Sequence, residues 1–237
     1  METWTFFCME ESQVSQLLAV VLGSSFDLGS EDRWSWKVNE SQGFSVKSTY
    51  GILRGEEEGD FSRVYNFFWR INVLLSAHVT AWRVIENKIV TKTNLERRGV
   101  VVESNLCCFC GEKEESKSHL FFGCKVSWLV WNICYTWLGV SSVDPLIPIS
   151  HFTQFILIDA PSSVNLGNIW IAVISELWRH NNNCIFKGGV IDYSEIFSLA
   201  QLNVWSWISA KVSSMGFSFS DWCLEPLVCI HSIKNSC

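Results

Sequence analysis

"CCFCGEKEESKSHLFFGC", residues 107–124, places four cysteines and one histidine in a single short stretch. Its reading decides the fold, because a bound metal would tie the middle of the chain together and loose thiols would not. Three chemistries are open to it: a metal site, a disulfide cluster, or reduced cysteines packed in a core. Cys107-x2-Cys110 is the spacing at which two thiolates on one tight turn share an ion. Cys108 and Cys110 are one residue too close for that turn. After a loop of eight residues, His119-x4-Cys124 supplies a second pair. Cys107, Cys110, His119 and Cys124 then offer three soft sulfurs and one imidazole, which suits one structural, tetrahedral zinc. The bland alternative, reduced buried cysteines without metal, accounts for a lone CxxC as well as zinc does, but less well for the two pairs together.

The spacing also imposes a condition. Along a straight α-helix, five residues leave His119 and Cys124 roughly 140° apart around the axis. They can converge only if the helix breaks or unwinds between them, and Gly123 is where the sequence allows that. "EKEESKS", 112–118, is polar and suits a surface loop. Glu115, four residues before His119, is a candidate partner for the free ring nitrogen. Four protein ligands leave no position for water, so the expected role of the metal is structural, not catalytic.

The rest of the composition narrows the class. The 237 residues are enough for a real core; 48% are hydrophobic and 18% charged, so the chain should be ordered. Thirteen tryptophans must mostly be buried or at an interface. A net charge of −6 argues against a strongly basic nucleic-acid binder. The charge is uneven: residues 44–125 hold 12 Lys/Arg against 10 Asp/Glu, the remainder 6 against 14. The N-terminal "METWTFFCMEESQ" lacks the charged and apolar regions of a signal peptide, so an intracellular site, nucleus or cytoplasm, is expected. In such a reducing compartment ten cysteines do not imply five disulfides. Between Val126 and Ile158 the only formal charge is Asp144, but prolines 145 and 148 split the stretch. A buried helix and an extended turn are expected there, with no membrane span.

Periodicity makes the chain mainly α with a small β-hairpin. Residues 14–22 read as a short helix, Arg33–Val46 as a hairpin around "NESQG", and "SVKSTYGILR" as a helix start. "GEEEGD", 55–60, reads as a solvated linker, and "YNFFWRI" as helical. Val79, Trp82, Ile85 and Ile89 mark an amphipathic helix over 77–90. Thr93 and Glu96 have capping-box spacing for one more short helix, which Gly99 stops. Beyond the cluster, Trp128, Trp131 and Cys134–Leu138 form one apolar face, and Trp170, Ile174, Leu177 and Trp178 another. Asp192 and Glu195 open a last helix through Phe197, Ala200, Val204, Trp207 and Ile208.

Catalytic signatures are missing. No two aspartates are adjacent, and neither a GxxxxGK[ST] nor a GxSxG occurs. No enzymatic activity and no small-molecule substrate are expected. His78, His151, His180 and His231 stand alone and read as surface or packing histidines. Cys8, Cys134, Cys184, Cys223, Cys229 and Cys237 read as bystander thiols.

"FSVKSTYGIL", "FFWRI", "TAWRVIENKIVTKTNLERRGV" and the cysteine stretch resemble, in order and spacing, the reverse transcriptase zinc-binding domain. That family follows the polymerase in plant non-LTR (LINE-type) retrotransposons and occurs in related host proteins. The resemblance spans about 33–138 and implies Cys107, Cys110, His119 and Cys124 as zinc ligands. It divides the chain into an N-terminal helical segment (1–32), the zinc-stapled domain (33–138) and a C-terminal helical region (139–237). Two positions depart from the family pattern. Leu75 lies in a run that usually carries a proline, and His180-Asn181-Asn182 stands where the family usually has Arg-Asn.

Two functions compete. One is a non-catalytic module that helps hold template RNA or single-stranded DNA, with Arg83, Lys88, Lys92, Arg97 and Arg98 contacting phosphates. The other is a structural or protein-interaction fragment whose partner is a reverse transcriptase domain or another protein. The nearly charge-free 126–158 stretch would then be a surface that once packed on a neighbour.

Overall fold

The computed structural model describes residues 58–212 and 216–234, with isolated positions between 15 and 49. Chain contacts divide the protein into Met1–Glu58 and Gly59–Cys237. The expected hairpin at 33–46 lies outside the described residues, as does most of the 14–22 helix. Among the described residues no strand forms, and a lone antiparallel bridge joins Leu106 to Glu114. The rest is helical, as the periodicity indicates.

Between residues 58 and 234 nine α-helices are described: α1 (Glu58–Arg70), α2 (Leu75–Ile85), α3 (Lys92–Arg97), α4 (Lys125–Trp137), α5 (Pro148–Ile156), α6 (Ser163–Lys187), α7 (Tyr193–Ser209), α8 (Phe219–Leu224) and α9 (Pro226–Lys234). The long α6 is the centre. It packs against α7, α2 and α5, while α4 lies on α7. Its residues 166 to 174 are buried all round, which is the pattern of a helix enclosed by others. Gly167 is what lets Ile71 reach the α6 backbone, since a Cβ there would stand 2.4 Å from the Ile71 side chain.

Buried tryptophans hold this core, each with its indole N–H satisfied. Trp131 donates to the Phe121 carbonyl at 2.9 Å, Trp170 to His151 Nδ1 at 3.0 Å and Trp222 to the Gln201 carbonyl at 3.2 Å. The N–H is thus not stranded in an apolar interior. His151 and His78 are packing histidines, and His78 Nε2 lies 3.0 Å from the Phe68 carbonyl. Asp192 caps α7 as expected, accepting from the Ser194 and Glu195 amides.

Four expectations shift. Helix α1 begins at Glu58, inside the supposed linker. Helix α2 ends at Ile85, not at residue 90, because Asn87 turns left-handed (φ 54°), and its buried face is Ala77, His78, Ala81, Val84 and Ile85. Thr91, not Thr93, flanks α3 as N-cap, while the Thr93 hydroxyl donates to the Glu115 carbonyl. Most of the charge-free 126–158 stretch is not an orphaned surface: Val130, Trp131, Cys134, Phe152 and Phe155 lie inside this chain's own core. Among the described residues no single helix is long and apolar enough to cross a membrane.

Candidate metal centre

Two short backbone devices build the cluster. On the first side the Cys107 amide donates to the Lys113 carbonyl at 2.7 Å, and the Glu115 amide to Asn105 at 2.8 Å, pinning both ends of a loop. Inside it the Gly111 amide closes back onto the Cys107 carbonyl at 2.7 Å, and Gly111 is left-handed (φ 67°). This turn brings the Cys107 and Cys110 sulfurs to one side, and a glycine directly after the second cysteine is what permits it.

On the second side the unwinding that the spacing demands is a π-turn. His119–Gly123 is wound wide, and the Cys124 amide donates to the His119 carbonyl five residues back at 2.7 Å. The wider winding reduces the angular separation of residues 119 and 124, and Cys124 then adopts extended backbone (φ −78°, ψ 142°). Gly123 is not left-handed, and a Cβ on it would meet only ordinary contacts at 3.5 Å and beyond. The break therefore rests on the π-turn, not on a special glycine conformation. Cys124 is also the N-cap of α4, where helix amides and dipole favour a thiolate.

The result is compact. One donor atom from each of Cys107, Cys110, His119 and Cys124 lies within 4.8 Å of the other three. Cys110 Sγ stands 3.2 Å from His119 Nε2, so Nε2 is the nitrogen that faces the centre. Zinc–ligand bonds of about 2.3 Å to sulfur and 2.0–2.1 Å to nitrogen require tetrahedral edges of roughly 3.5–3.8 Å. The donors thus fit one zinc with shifts of an ångström or less. Cys107 and Cys124 are buried, Cys110 and His119 half-buried.

The electrostatics suit metal loading. Without metal, a hydrogen bond to Cys124 and then burial push the Cys107 thiol well up, while the same bond pulls the Cys124 thiol down. Burial, then the nearby Lys113 ammonium, hold His119 below the ordinary imidazole range, so its ring is neutral and available as a ligand. Zinc would release the remaining thiol protons on binding.

Neighbouring residues depart from expectation. Glu115 does not orient His119. It is fully buried on the other flank, where Oε1 accepts the Lys92 amide at 3.3 Å. Burial raises its carboxyl pKa. Cys108 points away from the cluster to α6, its thiol 2.8 Å from Asn181 Oδ1. Asn181, one of the positions that depart from the family pattern, is thus a buried contact between the loop and α6. Sequence reasoning gave no role to Gly111, Asn181, Lys113 or Lys125; the glycine after CxxC was the one readable signal among them.

The five basic residues do not form one helical row. Arg83 ends α2, Lys88 follows it with its ammonium 4.6 Å over the Trp82 ring, and Arg97 and Arg98 end α3. Lys92 is already engaged, its ammonium donating to the Leu106 carbonyl at 2.6 Å. Arg98 meets the Lys88 carbonyl at 3.4 Å, which brings those two together.

Comparison with known proteins bears on this geometry. Residues 44–131 match the family model for zinc-binding in reverse transcriptase. This zinc-binding domain is the one that the cysteine stretch resembles, and all four cluster residues lie inside the match. A further relative is named "Putative ribonuclease H protein" in Arabidopsis thaliana; it is 30% identical over 118 residues, which cover 49% of this chain and 18% of the relative. The chain therefore spans a small part of that relative's length. No solved structure matches.

Proposed function

We propose that this chain is a non-catalytic module, organised by one structural zinc on Cys107, Cys110, His119 and Cys124, that helps hold RNA or single-stranded DNA. The observation behind this is the closure of three sulfurs and one imidazole around a single point, inside a segment that matches a zinc-binding domain of reverse transcriptases. Four protein ligands leave the ion no open position, so its contribution is folding energy. The phosphate contacts would come from Arg83, Lys88, Arg97 and Arg98, with Lys92 contributing less because its ammonium is bound internally. The boundary near residue 138 would separate the zinc-binding segment from a C-terminal region that supports it, since α2 leans on α6.

The test is binding of a short single-stranded oligonucleotide to the zinc-loaded protein across a salt series. Each phosphate contact steepens the log–log slope by about 0.7. Four such contacts predict a slope near −2.8, made shallower by each alanine substitution in the set. No binding at low salt by zinc-loaded protein would refute the reading.

A second reading has its own observation. Trp69, Leu74 and Leu75 lie exposed together around the α1–α2 connection, as at a protein interface. Concentration-dependent self-association without any effect of oligonucleotide would favour it.

A further inference from the structure

A cleft of about 640 Å³ opens directly beside the metal centre. Cys110 and His119 form one wall, Trp128 another, and the loop from Ser142 to Leu146 a third. Lys113 and Lys125 stand at it, with Glu112 and Asp144. Trp128 is the anomaly. It sits one turn before the fully buried Trp131 on α4, and its periodicity assigns it to the core, yet 55% of it is exposed. Among the described residues its ring pairs with no other aromatic ring.

Charge narrows the occupant. Lys125 is paired with Glu112 at 2.8 Å, and Asp144 is held by the Tyr135 hydroxyl and faces His151 at 3.3 Å. Lys113 makes no ion pair among the described residues, so the cleft offers one uncommitted ammonium beside an open indole face. That combination matches an unstacked base with its phosphate: the π-face takes the base and the ammonium the backbone. We propose that this cleft is a single-stranded nucleic-acid subsite, in which one base stacks on Trp128 and the adjoining phosphate meets Lys113. The proposal rests on the nucleic-acid reading above and adds the contact that reads a base.

The experiment compares oligothymidylate of about 12 nucleotides, within the site sizes of single-strand binders, with an abasic strand of equal length and charge. Both are titrated onto wild-type, W128A, W128F and K113Q proteins, with zinc content measured for each. Trp128→Ala is expected to lose about 5- to 150-fold in affinity for oligothymidylate, the range for one stacked base. The salt slope stays unchanged, and the abasic strand binds wild type and W128A alike. Trp128→Phe keeps most of the affinity, and Lys113→Gln makes the slope shallower by about 0.7. Strands carrying a photoreactive thymidine analogue should cross-link to Trp128.

Wild-type binding with W128A and W128F unaffected would overturn the subsite and leave the general reading standing. An equal loss on the abasic strand would also overturn it. If wild type binds no strand, both fall, and self-association abolished by W128A would instead mark the cleft as a protein contact. If W128A loses zinc, the cross-link decides: a cross-link to Trp128 supports the subsite and its absence overturns it.

Discussion

The loop of residues 105–124 and the helical body around α6 share an apolar core but differ in what else holds them. The body buries Trp131, Trp170, Trp222 and a set of phenylalanines and aliphatics. Its stability scales with apolar area removed from water, at roughly 25 cal/mol per Å². The loop sinks Phe109, Leu120, Phe121 and Phe122 into that same core, but its other end rests on a few backbone bonds, one left-handed glycine and a π-turn around four polar ligand atoms. Nothing apolar could substitute for an ion there. A fold can therefore depend on a metal in one segment and be indifferent to it in the next, and single substitutions should separate the two.

The largest effect should follow removal of a ligand. Cys124→Ser is expected to abolish zinc binding, worth about 10–16 kcal/mol in small zinc units, and to open the loop to proteolysis. The helical far-ultraviolet signal should largely remain, because α5, α6 and α7 do not depend on the ion. Complete loss of helix would mean that the two regions are one cooperative unit. Cys108→Ser is the matched control: serine still offers a donor to Asn181, so zinc should stay and stability change by within about 1 kcal/mol. Zinc loss in that variant would put Cys108 among the ligands.

Next comes the opposite break. Trp170→Ala removes a fully buried indole and should cost about 3–5 kcal/mol in denaturant unfolding. The cost should be the same with zinc bound or chelated. A cost that vanished on chelation would show that the two regions are coupled.

Much of this was legible in the sequence. Spacing placed the four cluster residues, because CxxC and HxxxxC state the geometry that an ion needs. Periodicity found α4, α6 and α7, since each shows its buried face at intervals of three and four. What failed was local. The end of α2 turned on Asn87, a residue whose left-handed backbone no pattern of apolar positions announces. Glu115 was assigned to His119 by nearness along a stretch read as surface loop, whereas it is buried and takes the Lys92 amide. Trp128 followed the periodicity of α4 but sits where the helix meets an open cleft, and only packing in three dimensions could show that.

A smaller test uses pH. Burial holds His78 below the ordinary imidazole range, while its Nε2 faces the Phe68 carbonyl. The unfolded chain therefore binds the extra proton first, so stability is full above about pH 6.5 and falls as pH drops below it. On a Cys124→Ser background, where acid release of zinc cannot contribute, His78→Asn should flatten that decline. An unchanged slope would remove His78 from the acid sensitivity of the body.

The smallest expected effect has the opposite sign. Leu75 is the first residue of α2 and largely exposed, and Leu74 before it is extended (φ −56°, ψ 127°). Proline fits a first helical position and tolerates that predecessor. Leu75→Pro should therefore stabilise the body by about 0.4–1 kcal/mol. Destabilisation would show that the Leu75 side chain or amide makes a contact that matters.

Zinc per chain tests the central claim most directly, by native mass spectrometry of the whole protein and of His119→Ala, both purified without added metal. One zinc in the first and none in the second is the predicted result. A folded protein with no zinc, or zinc retained without His119, would contradict it.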